Sequence, residues 1–269
     1  LMFAEANRSS RKPTEDLQAY DLVLRALPHL IRVPTLADFR AGIALLDAAI
    51  ARDPKYALAK AWKVRSYLVA RGGRLISMAE FHEISPLAEA LVNDYGNDPL
   101  VLAFASVAHG FGSDHQDEAA QAARRAVQLS PNSGLVMTSA GWPISYVAAY
   151  EEAIGCFERG IRLDPLGHTV GQCRVGIGGC LGFMGRYDDA VAILEQANAD
   201  APEYGTTVQG LIINYWAAGR HDDARRMADV LRRMVADLTI TSVLPTSPYR
   251  RPEQQALLID AFRGVGIPD

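Results

Sequence analysis

Between Asp117 and Leu129 the apolar residues fall at Ala119, Ala122, Ala123, Ala126 and Val127. This i, i+3, i+4, i+7, i+8 stripe is one face of an amphipathic helix, with polar residues between. The stripe returns in Glu151–Leu163 through Ala153, Phe157, Gly160 and Ile161, and in Asp188–Asn198 through Ala190, Leu194 and Ala197. A fourth opens at Asp222-Asp223-Ala224. Each follows a more apolar helix: Leu100–Phe111, Leu135–Ala148, Gly171–Met184 and Thr206–Ala218. Gly185-Arg186-Tyr187 and Gly219-Arg220-His221 predict short reversals between antiparallel helices.

The punctuation recurs as well. Two acids precede Ala119, Ala153, Ala190 and Ala224, which stand 34, 37 and 34 residues apart. Pro131, Pro165 and Pro202 follow the first three alanines by twelve residues, and Ala236 takes that place in the fourth unit. Acids in a first turn favour the positive end of the helix dipole. A proline fixes the exit, because it cannot continue the helix. A recurrence at this period predicts a stacked array of helical hairpins. Upstream, Asp38–Arg52 ends at Asp53-Pro54, and Asp16–Leu27 is its partner, opened by Pro13-Thr14. Ala57–Ala70 reads as a helix, Arg71–Ser85 as a longer loop or distorted turn around Gly72-Gly73, and Pro86–Asp94 as a short second helix. Downstream, Asp237–Pro248 reads as an extended crossing segment and Glu253–Phe262 as a final helix that caps the stack.

The places held by Gly141, Ala153, Phe157, Gly160 and Pro165, and again by Gly178, Ala190, Leu194, Ala197 and Pro202, resemble the tetratricopeptide repeat. The resemblance implies an all-α helical-hairpin solenoid, a right-handed superhelix of about six hairpins with a C-terminal capping helix. Three features depart from the pattern: the 37-residue interval, the irregular unit at 57–95, and Pro143, which predicts a kink or a delayed start in its helix. The implied organisation is a linker from an upstream domain at 1–12, the array at 13–236, and the extended segment with its cap at 237–269. A chain that begins at Leu1 rather than Met fits a piece of something longer.

Both ends resemble a set of bacterial multidomain regulators. At the start the resemblance is carried by Arg11-Lys12-Pro13-Thr14-Glu15-Asp16-Leu17-Gln18-Ala19-Tyr20-Asp21-Leu22. At the close it is carried by Ser247-Pro248-Tyr249-Arg250-Arg251-Pro252 and the run Leu257–Pro268. Those regulators are class III adenylate/guanylate cyclase-like proteins and related winged-helix transcriptional regulators. The resemblance implies a non-catalytic, C-terminal regulatory or interaction module of a bacterial signalling protein. Its partner is a protein or peptide, the upstream domain, or a second copy in a homodimer that pairs the parent enzyme. Tetratricopeptide arrays bind on the inner face of each first helix. That face maps to Arg65, Phe104, Phe111, Trp142, Tyr146, Gln172, Phe183, Gln209 and Trp216. The Lys/Asn places of the chaperone-tail clamp hold Thr138, Trp142, Val175 and Gly179, so a peptide's acidic C-terminus is not the expected ligand.

Composition narrows this further. The chain is 49% hydrophobic and 22% charged, with a net charge of −4. That is enough apolar matter for a core, without the basic footprint that nucleic-acid binding needs. Cys156, Cys173 and Cys180 are an odd, sparse set, which predicts free thiols in a reducing, cytoplasmic compartment. The uncharged run Ala126–Tyr150 contains Pro131 and Pro143 and straddles a helix boundary, so no membrane span is expected. The six histidines show no metal-ligand spacing, and no nucleophile–base arrangement can be assembled. Gly176–Gly182 has the glycine density of a phosphate loop, which would make a nucleotide-binding enzyme the alternative reading. No strand precedes it, and the register places it inside a helix. Neither a catalytic residue, a metal nor a cofactor is expected.

Overall fold

The computed structural model describes residues 14–31, 35–111, 113–202, 204–235, 237–244 and 247–269. The proposed linker at 1–12, Pro13, Gly112, Ala236 and the 245–246 part of the crossing segment lie outside them. Among the described residues all regular structure is helical.

Helix α1 (Leu17–Leu30) starts at Asp16, whose side chain accepts from the backbone N–H of Gln18 and Ala19. Helix α2 (Leu36–Arg52) starts with a capping box between Thr35 and Asp38. Gly42 lets α2 settle onto Leu30 of α1, where an added Cβ would come within 2.5 Å of the leucine. Helix α3 (Ala57–Gly72) continues the stack. The stretch read as a loop contains a short helix α4 (Met78–His82), capped by Ser77 accepting from Glu80 N–H. Helix α5 (Ser85–Asp94) completes that hairpin against α3.

Four regular hairpins follow: α6 (Pro99–Gly110) with α7 (Gln116–Leu129), α8 (Gly134–Tyr146) with α9 (Tyr150–Leu163), α10 (Val170–Phe183) with α11 (Tyr187–Asp200), and α12 (Gly205–Ala217) with α13 (His221–Met234). The acidic pairs occupy the first turns of α7, α9, α11 and α13. These outer helices bury one narrow stripe, such as Ala119, Ala120, Ala123 and Ala126 in α7. The first helices are enclosed on nearly every side, and every residue of α6 is buried. Helices α3, α6, α8, α10 and α12 each pack on the next, forming an inner layer inside the second helices.

The turns show why glycine recurs in them. Gly185 and Gly219 take φ of +77° and +75°, which lets Arg186 N–H reach Leu181 O and Arg220 N–H reach Tyr215 O. Ala148 does the same work at φ +61° after α8. Pro143 does not delay α8, which begins at Gly134 and ends at Tyr146, three residues past the proline. The 37-residue interval comes mainly from the α9–α10 connection. It runs from Asp164 to Thr169, against Ser130–Ser133 and 201–204 in the neighbouring units.

Inside α10 three of the five glycines are contact points. A Cβ on Gly176 would overlap the Phe157 ring of α9, one on Gly178 would stand 2.5 Å from Leu194 of α11, and one on Gly182 would overlap Asn214 of α12. The crossing segment carries one more short helix, α14 (Ile240–Val243), where an extended run was expected. Helix α15 (Pro252–Gly264) then packs on α12, burying Leu258, Ala261 and Phe262. The end of the chain is tied down by Ile240 N–H donating to Pro268 O at 2.7 Å.

Candidate functional site

The inner layer curves until its two ends meet. Tyr204 Oη donates to Val69 O at 3.3 Å, and Thr206 Oγ1 donates to Gly72 O at 3.1 Å. Gly205 lies under the Arg74 side chain, 2.8 Å from its Cγ at the position a Cβ would take. The second hairpin thus touches the sixth. Residues after α14 cover part of the space enclosed. Tyr249 packs edge-on to Tyr146 (5.9 Å between ring centroids) and Phe183 (4.6 Å), and Phe183 stacks on Tyr150 at 5.6 Å. Gln116 Nε2 donates to Pro248 O, Arg251 Nη2 to Val147 O at 2.9 Å, and Gln254 Nε2 to Tyr150 Oη at 2.8 Å. Gly179 leaves room here, since its nearest outside atom would be Tyr249 Oη at 3.5 Å from an added Cβ.

What remains is a cavity of about 160 Å³ between α3, α8, α10, α12 and the 247–249 segment. Six inner-face residues line it: Phe111, Trp142, Tyr146, Gln172, Phe183 and Gln209. Arg65 sits beside it, with Nη2 at 3.5 Å from Gln172 Oε1. Phe104 and Trp216 do not line it. Phe104 is core, edge-on to Trp62 at 5.0 Å. Trp216 stacks on His221 at 4.1 Å, donates from Nε1 to Asp260 Oδ2 at 3.1 Å, and lies against Gly264 of the cap. Helical register could not separate these two from the rest, because first helices bury nearly their whole circumference. The sequence did not mark Tyr204, Arg71, Arg74 or Tyr249 as part of this surface. The only signal was one aromatic in each of two short non-helical stretches.

The electrostatics of the cavity wall are one-sided. Arg65 and Arg71 are 5% and 8% exposed, and Arg74 is half-buried. Burial pushes Arg65 down to about 10 and lowers Arg71. Burial, then repulsion by Arg71, brings Arg74 to about 10. The Arg65 guanidinium lies over the rings of Trp62 (5.3 Å) and Phe104 (5.5 Å), which offsets part of its desolvation. His168, on the long α9–α10 connection, falls to about 4 through burial and then the Arg65 charge. Arg65 Nη1, Arg74 Nε, His168 Nε2 and Asn214 Oδ1 are buried without a hydrogen-bond partner.

Two other groups bear on chemistry. The three cysteines are free and buried, and burial raises their thiols to about 11, 11 and 12 for Cys156, Cys173 and Cys180. Such thiols are poor nucleophiles. His109 and His115 stack at 4.9 Å, and both face Glu118 Oε2, at 3.4 and 3.3 Å. These three present donor atoms within 4.8 Å of one another. Hydrogen bonds from the two imidazoles hold the Glu118 carboxyl below its ordinary range, and the structure thus gathers two histidines in which the sequence showed no metal-ligand spacing.

The tetratricopeptide repeat family profile matches residues 184–237, from the turn after α10 through α13. No curated protein matches the chain. Among solved structures, a thermophilic TPR protein of Thermus thermophilus superposes with a TM-score of 0.50 at 16% identity, covering 79% of this chain and 98% of that one. PilW, a type IV pilus biogenesis factor, gives 0.46 at 17% identity over 93% and 90% of the two chains. A tetratricopeptide repeat protein from Parabacteroides merdae gives 0.44 at 14% over 92% and 87%. Repeat register, helix pairing and the first of these superpositions agree that the chain is an all-α solenoid of tetratricopeptide-type helical hairpins.

Proposed function

We propose that this chain is a non-catalytic protein-interaction module, the C-terminal regulatory part of an adenylate cyclase-like bacterial signalling protein. Its partner is the upstream domain of the same polypeptide. The observation that carries the reading is Tyr249. A side chain from a separate segment of chain already anchors between Tyr146 and Phe183, on the inner surface where such arrays take their ligands. A partner helix or extended segment docks there by inserting its own aromatic or apolar anchor in place of Tyr249. The net charge of −4 favours a protein partner over a nucleic acid. The end motifs at 11–22 and 247–268 support a parent of the cyclase-like kind, with a winged-helix regulator as the alternative.

The test is to read the coding sequence upstream of Leu1, express the domain it encodes, and titrate it into this chain by calorimetry. A cyclase-type domain that binds saturably, and binds more tightly to Tyr249→Ala, is the expected result. Absence of binding, or turnover of a small molecule by the isolated chain, would overturn the reading.

A further inference from the structure

The cavity wall raises a question that a peptide-docking surface does not answer. Arg71 and Arg74 both line a largely apolar space. Among the described residues neither meets a carboxylate, and the Arg74 Nε is buried without a partner. Arg71 Nε reaches only the Met78 sulfur, at 3.4 Å. Arg65 Nη1 is also without a partner, but two aromatic faces and Gln172 share that guanidinium's charge. Burying an unpaired charge is among the costlier things a fold can do. Here two like charges are held close enough to repel each other, and His168 stays neutral nearby instead of supplying a third. No acid of the described chain compensates, and the space that Arg71 and Arg74 line has room for a ligand that carries one.

We infer that this cavity binds a small organic monocarboxylate, with its carboxylate on Arg71 and Arg74 and an apolar body of about benzene size against Phe111, Trp142 and Phe183. Size sets the body. A cavity of about 150 Å³ lined by apolar side chains accepts benzene, and this one is about 160 Å³. Shape sets the head group, because a planar guanidinium matches a planar carboxylate through two parallel N–H···O bonds. A phosphate dianion brings more charge and more hydration than an apolar pocket of this size can strip. The inference goes beyond the docking reading and does not depend on it, since it needs neither a partner chain nor the displacement of Tyr249.

The test is calorimetric titration of the full chain with benzoate, alongside benzamide, acetate and inorganic phosphate. Benzoate is expected to bind saturably, and benzamide and acetate at least about tenfold more weakly, since a hydrogen-bonded charge and a buried ring are each worth that much. Arg74→Gln is expected to lose at least about tenfold in benzoate affinity with an unchanged helical spectrum. Equal binding of benzamide, binding of phosphate as tight as benzoate, or no saturable binding of benzoate would each overturn the inference. The comparison of benzoate with benzamide uses the unaltered chain, so the inference stays falsifiable even if Arg74→Gln fails to fold.

Discussion

Adding one methyl group to two glycines of this chain should have opposite effects. Gly155 lies on the exposed face of α9, and a Cβ built there meets nothing within 4 Å. Gly155→Ala therefore collects the helix-propensity difference alone, a gain of about 1 kcal/mol. Gly176 lies inside α10, where the same Cβ overlaps the ring of Phe157. The ring has little freedom to yield, because it also lies against Gly141 of α8, where an added Cβ would stand 2.6 Å from it. Trp142 is also edge-on to it at 5.3 Å. Overpacking a site with so little freedom costs about 3 kcal/mol, the upper part of the usual range, which leaves a net loss of about 2 kcal/mol after the propensity gain. Urea denaturation followed by helical circular dichroism measures both variants against the parent through their midpoints. The Phe157→Leu background supplies the control: shrinking the ring should remove most of the penalty of Gly176→Ala, a coupling that a double-mutant cycle isolates. A Gly176→Ala chain as stable as Gly155→Ala would refute the account of α10 as a helix whose glycines exist for close approach.

Three further outcomes are expected. Ala148→Gly should stabilise the chain by about 1 kcal/mol in the same urea assay, because φ of +61° strains any residue with a Cβ. Acid should weaken the fold through His168. Its folded pKa of about 4 lies below the ordinary histidine value of 6.5, so the stability it confers is complete above pH 6.5 and is lost as the pH falls from there toward 4. Allowing for partial exposure the loss is about 2 kcal/mol, and His168→Gln should flatten the stability–pH curve over that window. Ellman's reagent at pH 8 should titrate all three cysteines in urea and almost none in the native chain, since burial keeps each thiol protonated.

Local rules carried the sequence reading as far as the hairpins. First-turn acids, the small residue at Ala119 or Ala153, and the exit proline each act within a dozen residues, and the helices formed where those signals put them. Short elements escaped. The five residues of α4 are too few to show a period, although Ser77 followed by Glu80 was a legible cap. The floor of the cavity escaped for a different reason. Tyr204 meets Val69 across 135 positions of chain and Thr206 meets Gly72 across 134. No periodicity encodes contacts of that range. The mapped inner face therefore included Arg65, Gln172 and Gln209, but it could not foresee that the end of α3 would meet the start of α12, nor that Gly179 would make space for Tyr249.

The meeting of α3 with α12 changes how this molecule should come apart. An open row of hairpins is held only by nearest neighbours, so it can fray from either end and lose one unit at a time. Here the second and sixth units are joined directly, and the units between them form a loop of interactions rather than a line. Opening any one of them strains or breaks the Tyr204 and Thr206 contacts as well, so the middle of the chain should unfold as one cooperative block. The same long-range join raises the contact order, and the last event in folding should be its closure, slower than the assembly of any single hairpin.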